Sequence, residues 1–203
     1  MTRFTRPALA LTAASAALAT GATPALAHLN PGEHGSFAAG FSHPMFGADH
    51  ILAMVAVGLW AWQIGGKALL GVPAAFVGAM LAGFVLAIAG VPLPFVEPAI
   101  LASVIAIGLL AALAVRLPVG PCAVIVAAFA LFHGHAHGGE IGAATQVAYG
   151  AGFALATALL HGAGLAIGYG AGALFGRSGL SGLTVTRVLG GLTALAGAAL
   201  IWA

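Results

Sequence analysis

The chain has 203 residues, of which 62% are hydrophobic and 5% charged, and its mean hydropathy is +1.12. That is too little polar surface to keep a folded globule of this length in water, so a soluble domain is excluded. Six Lys and Arg against four Asp and Glu give a formal charge of +2, but Arg3 and Arg6 lie in an N-terminal segment expected to be removed, which leaves a nominally neutral chain and nothing that suggests nucleic-acid binding.

The first element has the three parts of a secretory signal. Arg3 and Arg6 precede an apolar stretch from Pro7 to about Leu18, and the small-residue run Ala25-Leu26-Ala27 ends before His28. Cleavage after Ala27 is expected, so that residues 1–27 are a signal peptide and 28–203 one membrane domain. Retained as an anchor, the segment would instead add a seventh helix. Past the cleavage point, His28, Glu33 and His34 form a polar terminus, either a mouth that captures metal or a solvated end without a role.

Six hydrophobic stretches follow, each near the roughly 20 residues that cross a bilayer: about 40–62, 68–91, 96–115, 119–135, 146–175 and 183–202. The expected fold class is therefore an all-α membrane protein, a compact bundle of six transmembrane helices. With the mature N-terminus outside, the breaks holding Lys67, Arg116 and Arg177/Arg187 all fall on the cytoplasmic side. Glu33, Glu97 and Glu140 then fall outside, as the positive-inside rule requires. The expected location is a bacterial inner membrane, with a periplasmic mature N-terminus.

The first stretch contains His43-Pro44-Met45-Phe46-Gly47-Ala48-Asp49-His50, and ionisable groups at membrane depth are expensive enough to imply a function. In an unbroken helix His43 and His50 would sit about 10 Å apart along the axis, and Asp49 would point elsewhere. Pro44 and Gly47 offer a break, the device by which membrane transporters build ion sites. Met54 lies one turn beyond His50 and can share its face.

The fourth stretch, which holds Cys122, ends in Phe132-His133-Gly134-His135-Ala136-His137-Gly138-Gly139-Glu140. A single cysteine excludes an internal disulfide or a cysteine-cluster metal site, and Cys122 is read as a small buried hydrophobe, with a soft metal ligand as the rival reading. If the helix continues, His133, His137 and Glu140 share one stripe and His135 faces away. Imidazoles suit nickel, cobalt, zinc and copper, whereas calcium and magnesium prefer oxygen. The bland reading is a polar network that fixes helix register.

In the fifth stretch small residues recur at four-residue spacing (150, 154, 158, 162, 166 and 170, and again 164, 168, 172 and 176), which predicts packing faces. His161, in the same stretch, is read first as a partner for a neighbouring helix and second as a ligand. Trp60, Trp62 and Trp202 are expected at the membrane interface.

Together, His43-x5-Asp49-His50 and Phe132-His133-Gly134-x-Ala136-His137-x-x-Glu140 resemble the two signatures of the HupE/UreJ family of nickel and cobalt permeases, and the resemblance covers the mature chain. It implies secondary uptake of Ni2+ or Co2+ as transported substrate, without a catalytic cofactor. It also implies that His43, Asp49, His50, His133, His137 and Glu140 recognise the metal; His28, His34, Met54, His135 and His161, outside what the resemblance implies, are weaker candidates from their residue types and positions. The expected partners are the divalent ion, the lipid bilayer and, at most, further copies of the chain in a homo-oligomer. The rival classes are a membrane metalloenzyme, against which the lack of HExxH or repeated HxxxH boxes weighs, and a nontransporting metal-binding accessory protein.

Overall fold

The computed structural model describes residues 36–138, 146–176 and 182–202, and among these every regular element is helical. The order is α1 (Phe37–Phe46), α2 (Ala48–Ile64), α3 (Ala68–Ile88), α4 (Val96–Ala112), α5 (Val119–Gly138), α6 (Gln146–Phe175) and α7 (Gly182–Leu200). The expected signal peptide, His28, His34 and Glu140 lie outside the described residues.

Helices α3, α5, α6 and α7 are each long and apolar enough to cross a membrane, while α1 and α2 do so only as a pair bent by 82°. The bend falls at Gly47, which follows a helix already interrupted by Pro44. Helix α4 stops at Ala112 after 17 residues, short of the expected Val115. The cause is local: Ala114 turns into the left-handed region at φ 50, and the Val115 and Ala114 amides bond back to the Leu110 and Ala111 carbonyls. Helix α5 runs on through Gly138 rather than ending at His135, and α6 is continuous over 30 residues. At about 45 Å, α6 exceeds the hydrocarbon and must tilt or protrude.

Apolar side chains also cover the outside. Leu70, Val124, Val147, Leu174 and Leu195 are all exposed, which is tolerable in lipid and not in water. The interior is built by backbones in close contact. Alanine-sized atoms at Gly83, Gly134 and Gly138 would strike the facing backbones of α3 and α5, and Gly58 on α2 and Gly164 on α6 pack against each other in the same way. Of the two expected small-residue faces on α6, one is corrected: Ala158, Gly162, Ala166 and Gly170 are exposed, with nothing near the two glycines. The buried stripe runs instead through Tyr149, Phe153, Thr157, His161, Gly164 and Gly168. Spacing alone fits either face.

The expected interface positions of Trp60 and Trp62 are also corrected, since both are buried; Trp202 is exposed as expected. Trp60 Nε1 donates to the Val115 carbonyl at 2.8 Å, Gln63 Nε2 to the Ala111 carbonyl and to Thr186 Oγ1, each at 2.9 Å, and Arg187 Nε to the Ala112 carbonyl at 2.8 Å. These bonds gather the ends of α2 and α4 with the start of α7. Arg116 and Arg187 therefore share one end of the bundle with the Lys67 turn that follows α2, while Glu97 opens α4 at the other. Cys122 is buried, its thiol against the Leu117 carbonyl at 3.6 Å.

Candidate metal site

The break at Gly47 does what an unbroken helix would forbid. With α1 turned by 82° against α2, the rings of His43 and His50 come to a centroid separation of 6.1 Å. The start of α5's last two turns meets them. His137 stacks edge-on against His43 at 4.3 Å and lies 4.6 Å from His50, while His133 stands nearly perpendicular to His50 at 5.0 Å. Five of the expected site residues, His43, Asp49, His50, His133 and His137, are thus brought together by three helices.

Asp49, which an unbroken helix would point elsewhere, joins the cluster at the break. At the first turn of α2 its carboxylate reaches round to its neighbour, and Oδ1 lies 2.9 Å from His50 Nδ1. Gly47 leaves the room: a Cβ there would stand 3.0 Å from both Asp49 Oδ1 and His50 Nδ1. The carboxylate can only accept, so Nδ1 carries the His50 proton and the lone pair is at Nε2. This is the arrangement by which a carboxylate orients a histidine for metal ligation. The 2.6 Å contact between His50 Nε2 and His137 Nε2 is then a hydrogen bond donated by His137.

His133 is fully buried and is oriented by a residue without any ionisable signal. Ser103 Oγ donates to the Ile100 carbonyl at 2.6 Å and so accepts from His133 Nε2 at 2.8 Å. The His133 lone pair is therefore at Nδ1, which has no hydrogen-bond partner among the described residues. Phe153 walls the cluster, 4.7 Å from His137 and 6.3 Å from His50. Neither Ser103 nor Phe153 stands out in the sequence; a serine alone in an apolar helix was the only trace.

Not every candidate joins. His135 faces away, as its place on the helix predicts, and Nε2 donates to the Val91 carbonyl at 2.8 Å. Met54 is buried in the core one turn below His50, and His161 lies deeper on α6. Among the described residues no three His, Cys, Asp or Glu side chains are placed to hold one ion as they stand. Two imidazole nitrogens on a tetrahedral ion at about 2.05 Å each stand roughly 3.3 Å apart, so the His50–His137 pair must part by about 0.7 Å and His137 must move its proton to Nδ1. Those are side-chain movements, within reach of a rotamer adjustment.

The fold and this cluster define a multi-pass helical membrane protein with buried imidazoles gathered at a broken span. A family model described as HupE / UreJ protein matches residues 16–200, and the chain belongs to the HupE/UreJ family. It is 48% identical over 186 residues to Protein HupE of Rhizobium leguminosarum bv. viciae, spanning 91% of this chain and 94% of that relative. No solved structure matches it. The family is one of transporters and accessory proteins rather than enzymes, in agreement with the reading that the chain catalyses no reaction.

Proposed function

We propose that the chain is an uptake permease for a divalent transition metal, nickel or cobalt, in a bacterial inner membrane. In this reading a signal peptide, residues 1–27, is removed, and six spans follow with the mature N-terminus in the periplasm. The observation that carries the proposal is the Asp49–His50–His137 chain beside His133, four ionisable side chains held in contact within a largely apolar bundle. A network that served only to fix helix register would not need a carboxylate orienting an imidazole whose second nitrogen meets another imidazole.

Hydrated metal enters from the periplasmic side, where Glu140 and the His28/His34 terminus belong in this reading, and trades water for imidazole nitrogen at the break in the first span. Nitrogen-rich ligation favours late first-row ions over magnesium and calcium. The gathering of Arg116, Arg187 and the Lys67 turn at one end supports a cytoplasmic assignment for that end. Import is driven by a gradient or by capture of the metal inside.

The test is uptake of nickel and cobalt, in competition with zinc, by cells expressing the parent, Asp49→Asn or His50→Ala. Both variants are expected to lose at least roughly tenfold in rate, the scale on which a ligand-orienting group acts. Parental rates in both, at normal expression, would refute the site.

A further inference from the structure

The line of rings does not end at His133. Phe76 on α3 lies 5.7 Å from the His133 ring and 5.0 Å, edge to face, from the ring of His161. The carbonyl of His161 packs against Gly58. Gly58 is eight residues beyond His50 on α2, so the His161 backbone lies about 12 Å further toward the cationic end. It is 1% exposed, and neither ring nitrogen has a hydrogen-bond partner among the described residues.

Leaving two polar atoms unmet in a dry interior is costly, and a phenylalanine or leucine would fill the same space without that cost. The reading of His161 as a hydrogen-bond partner for a neighbouring helix therefore finds no partner. The surroundings have a chemistry of their own. One turn earlier on the same face of α6, the Thr157 hydroxyl points at Met80 Sδ at 3.4 Å, and Met80 is one turn beyond Phe76 on α3. Two fully buried rungs thus cross the α3–α6 contact one turn apart, the Thr157 hydroxyl on the Met80 thioether and the His161 imidazole on the Phe76 ring.

Building on the transport reading, we propose that His161 is a second, inner metal station that takes the ion from the His50/His133 cluster before its release at the cationic end, with the Met80 thioether, one turn toward that cluster, handing the ion on. A lone imidazole binds a late transition ion weakly, and weak binding is what an exit station needs, because an ion held by a full ligand set would not leave. The Phe76 ring stands between the two stations and must turn aside for each ion to pass.

The experiment separates binding from passage. Purified protein is assayed for equilibrium Ni2+ binding in detergent and for Ni2+ uptake in proteoliposomes, using the parent, His50→Ala, His161→Phe and Met80→Leu. His50→Ala is expected to lose both. His161→Phe, which keeps a ring against Phe76, is expected to retain binding at the outer cluster and to lose uptake by at least roughly tenfold, as loss of one group does at metal sites. Its thermal stability is expected to equal or exceed the parent's. Should it fail to assemble, Met80→Leu removes the sulfur at nearly constant volume and is read in the same two assays, with slower uptake and intact binding expected. Parental uptake by the variants overturns the inner station and leaves the transport reading in place. A parent that binds but moves no metal overturns the transport reading itself.

Discussion

Gly134 lies between His133 and His135 on α5 and has α3 directly against it. A methyl group there would overlap the Met80 carbonyl oxygen and stand 2.6 Å from the Met80 carbonyl carbon and 2.9 Å from the Phe84 amide nitrogen. Carbon atoms rest at about 3.5 Å or more, so Gly134→Ala must drive the two helices apart by more than about 1 Å, the overlap with the oxygen being the larger. Overpacking of this kind costs ~1–3 kcal/mol, a factor of roughly 5 to 150 in the folded-to-unfolded ratio. The functional consequence is larger than the stability loss. Helix α5 carries His137, whose 2.6 Å contact with His50 depends on where that helix lies, and uptake is expected to fall by roughly tenfold or more. The assay pairs unfolding by SDS in mixed micelles with uptake in proteoliposomes. Gly162→Ala serves as control: nothing lies within 4 Å of that position, so its stability should stay within a few tenths of a kcal/mol of the parent or rise. Parental unfolding and transport by Gly134→Ala would show that the close approach of α3 and α5 does not set the histidine geometry.

Three further outcomes are expected. Ser103→Ala leaves the buried His133 Nε2–H without its acceptor, costing about 1 kcal/mol; nitrogen-15 spectra should then show a mixture of His133 tautomers, and a single unchanged tautomer would contradict the assignment. Acidification should weaken Ni2+ binding, because a protonated imidazole has no lone pair for a metal, and calorimetry should show protons released as metal enters at low pH; pH-independent binding would exclude imidazole ligation. In intact cells an impermeant thiol reagent should label Glu97→Cys but reach Lys67→Cys only after permeabilisation, with the buried Cys122 silent in both; the reverse pattern would invert the orientation.

How much of this was legible beforehand depends on what lipid enforces. Hydropathy marks α3, α5, α6 and α7 because a span must be long and apolar, and Pro44 with Gly47 marks the break because few other residues release a helix there. The imidazoles stand out because ionisable groups are rare at such depth. What helical spacing does not carry is which face meets a neighbour. The exposed small residues of α6 repeat as regularly as the buried ones, and Trp60 and Trp62 turn inward toward α4 and α6 although their composition suits an interface. Spacing in an unbroken helix points Asp49 away, and only the break puts it at a helix start, where a side chain can fold back onto its neighbour. Ser103, Phe76 and Phe153 have no ionisable group, and only the packing shows that they orient, separate and enclose the imidazoles.

The bonds from Trp60, Gln63 and Arg187 to the last carbonyls of α4 have one more consequence. Every donor in that clasp is a side-chain nitrogen, and every acceptor but Thr186 is a main-chain oxygen at or just past the end of a helix, so none of these links is part of a helical ladder. Breaking them would leave every helical turn intact, so at the cationic end α2, α4 and α7 are tied through side chains, whereas in the glycine-packed middle of the bundle backbone meets backbone.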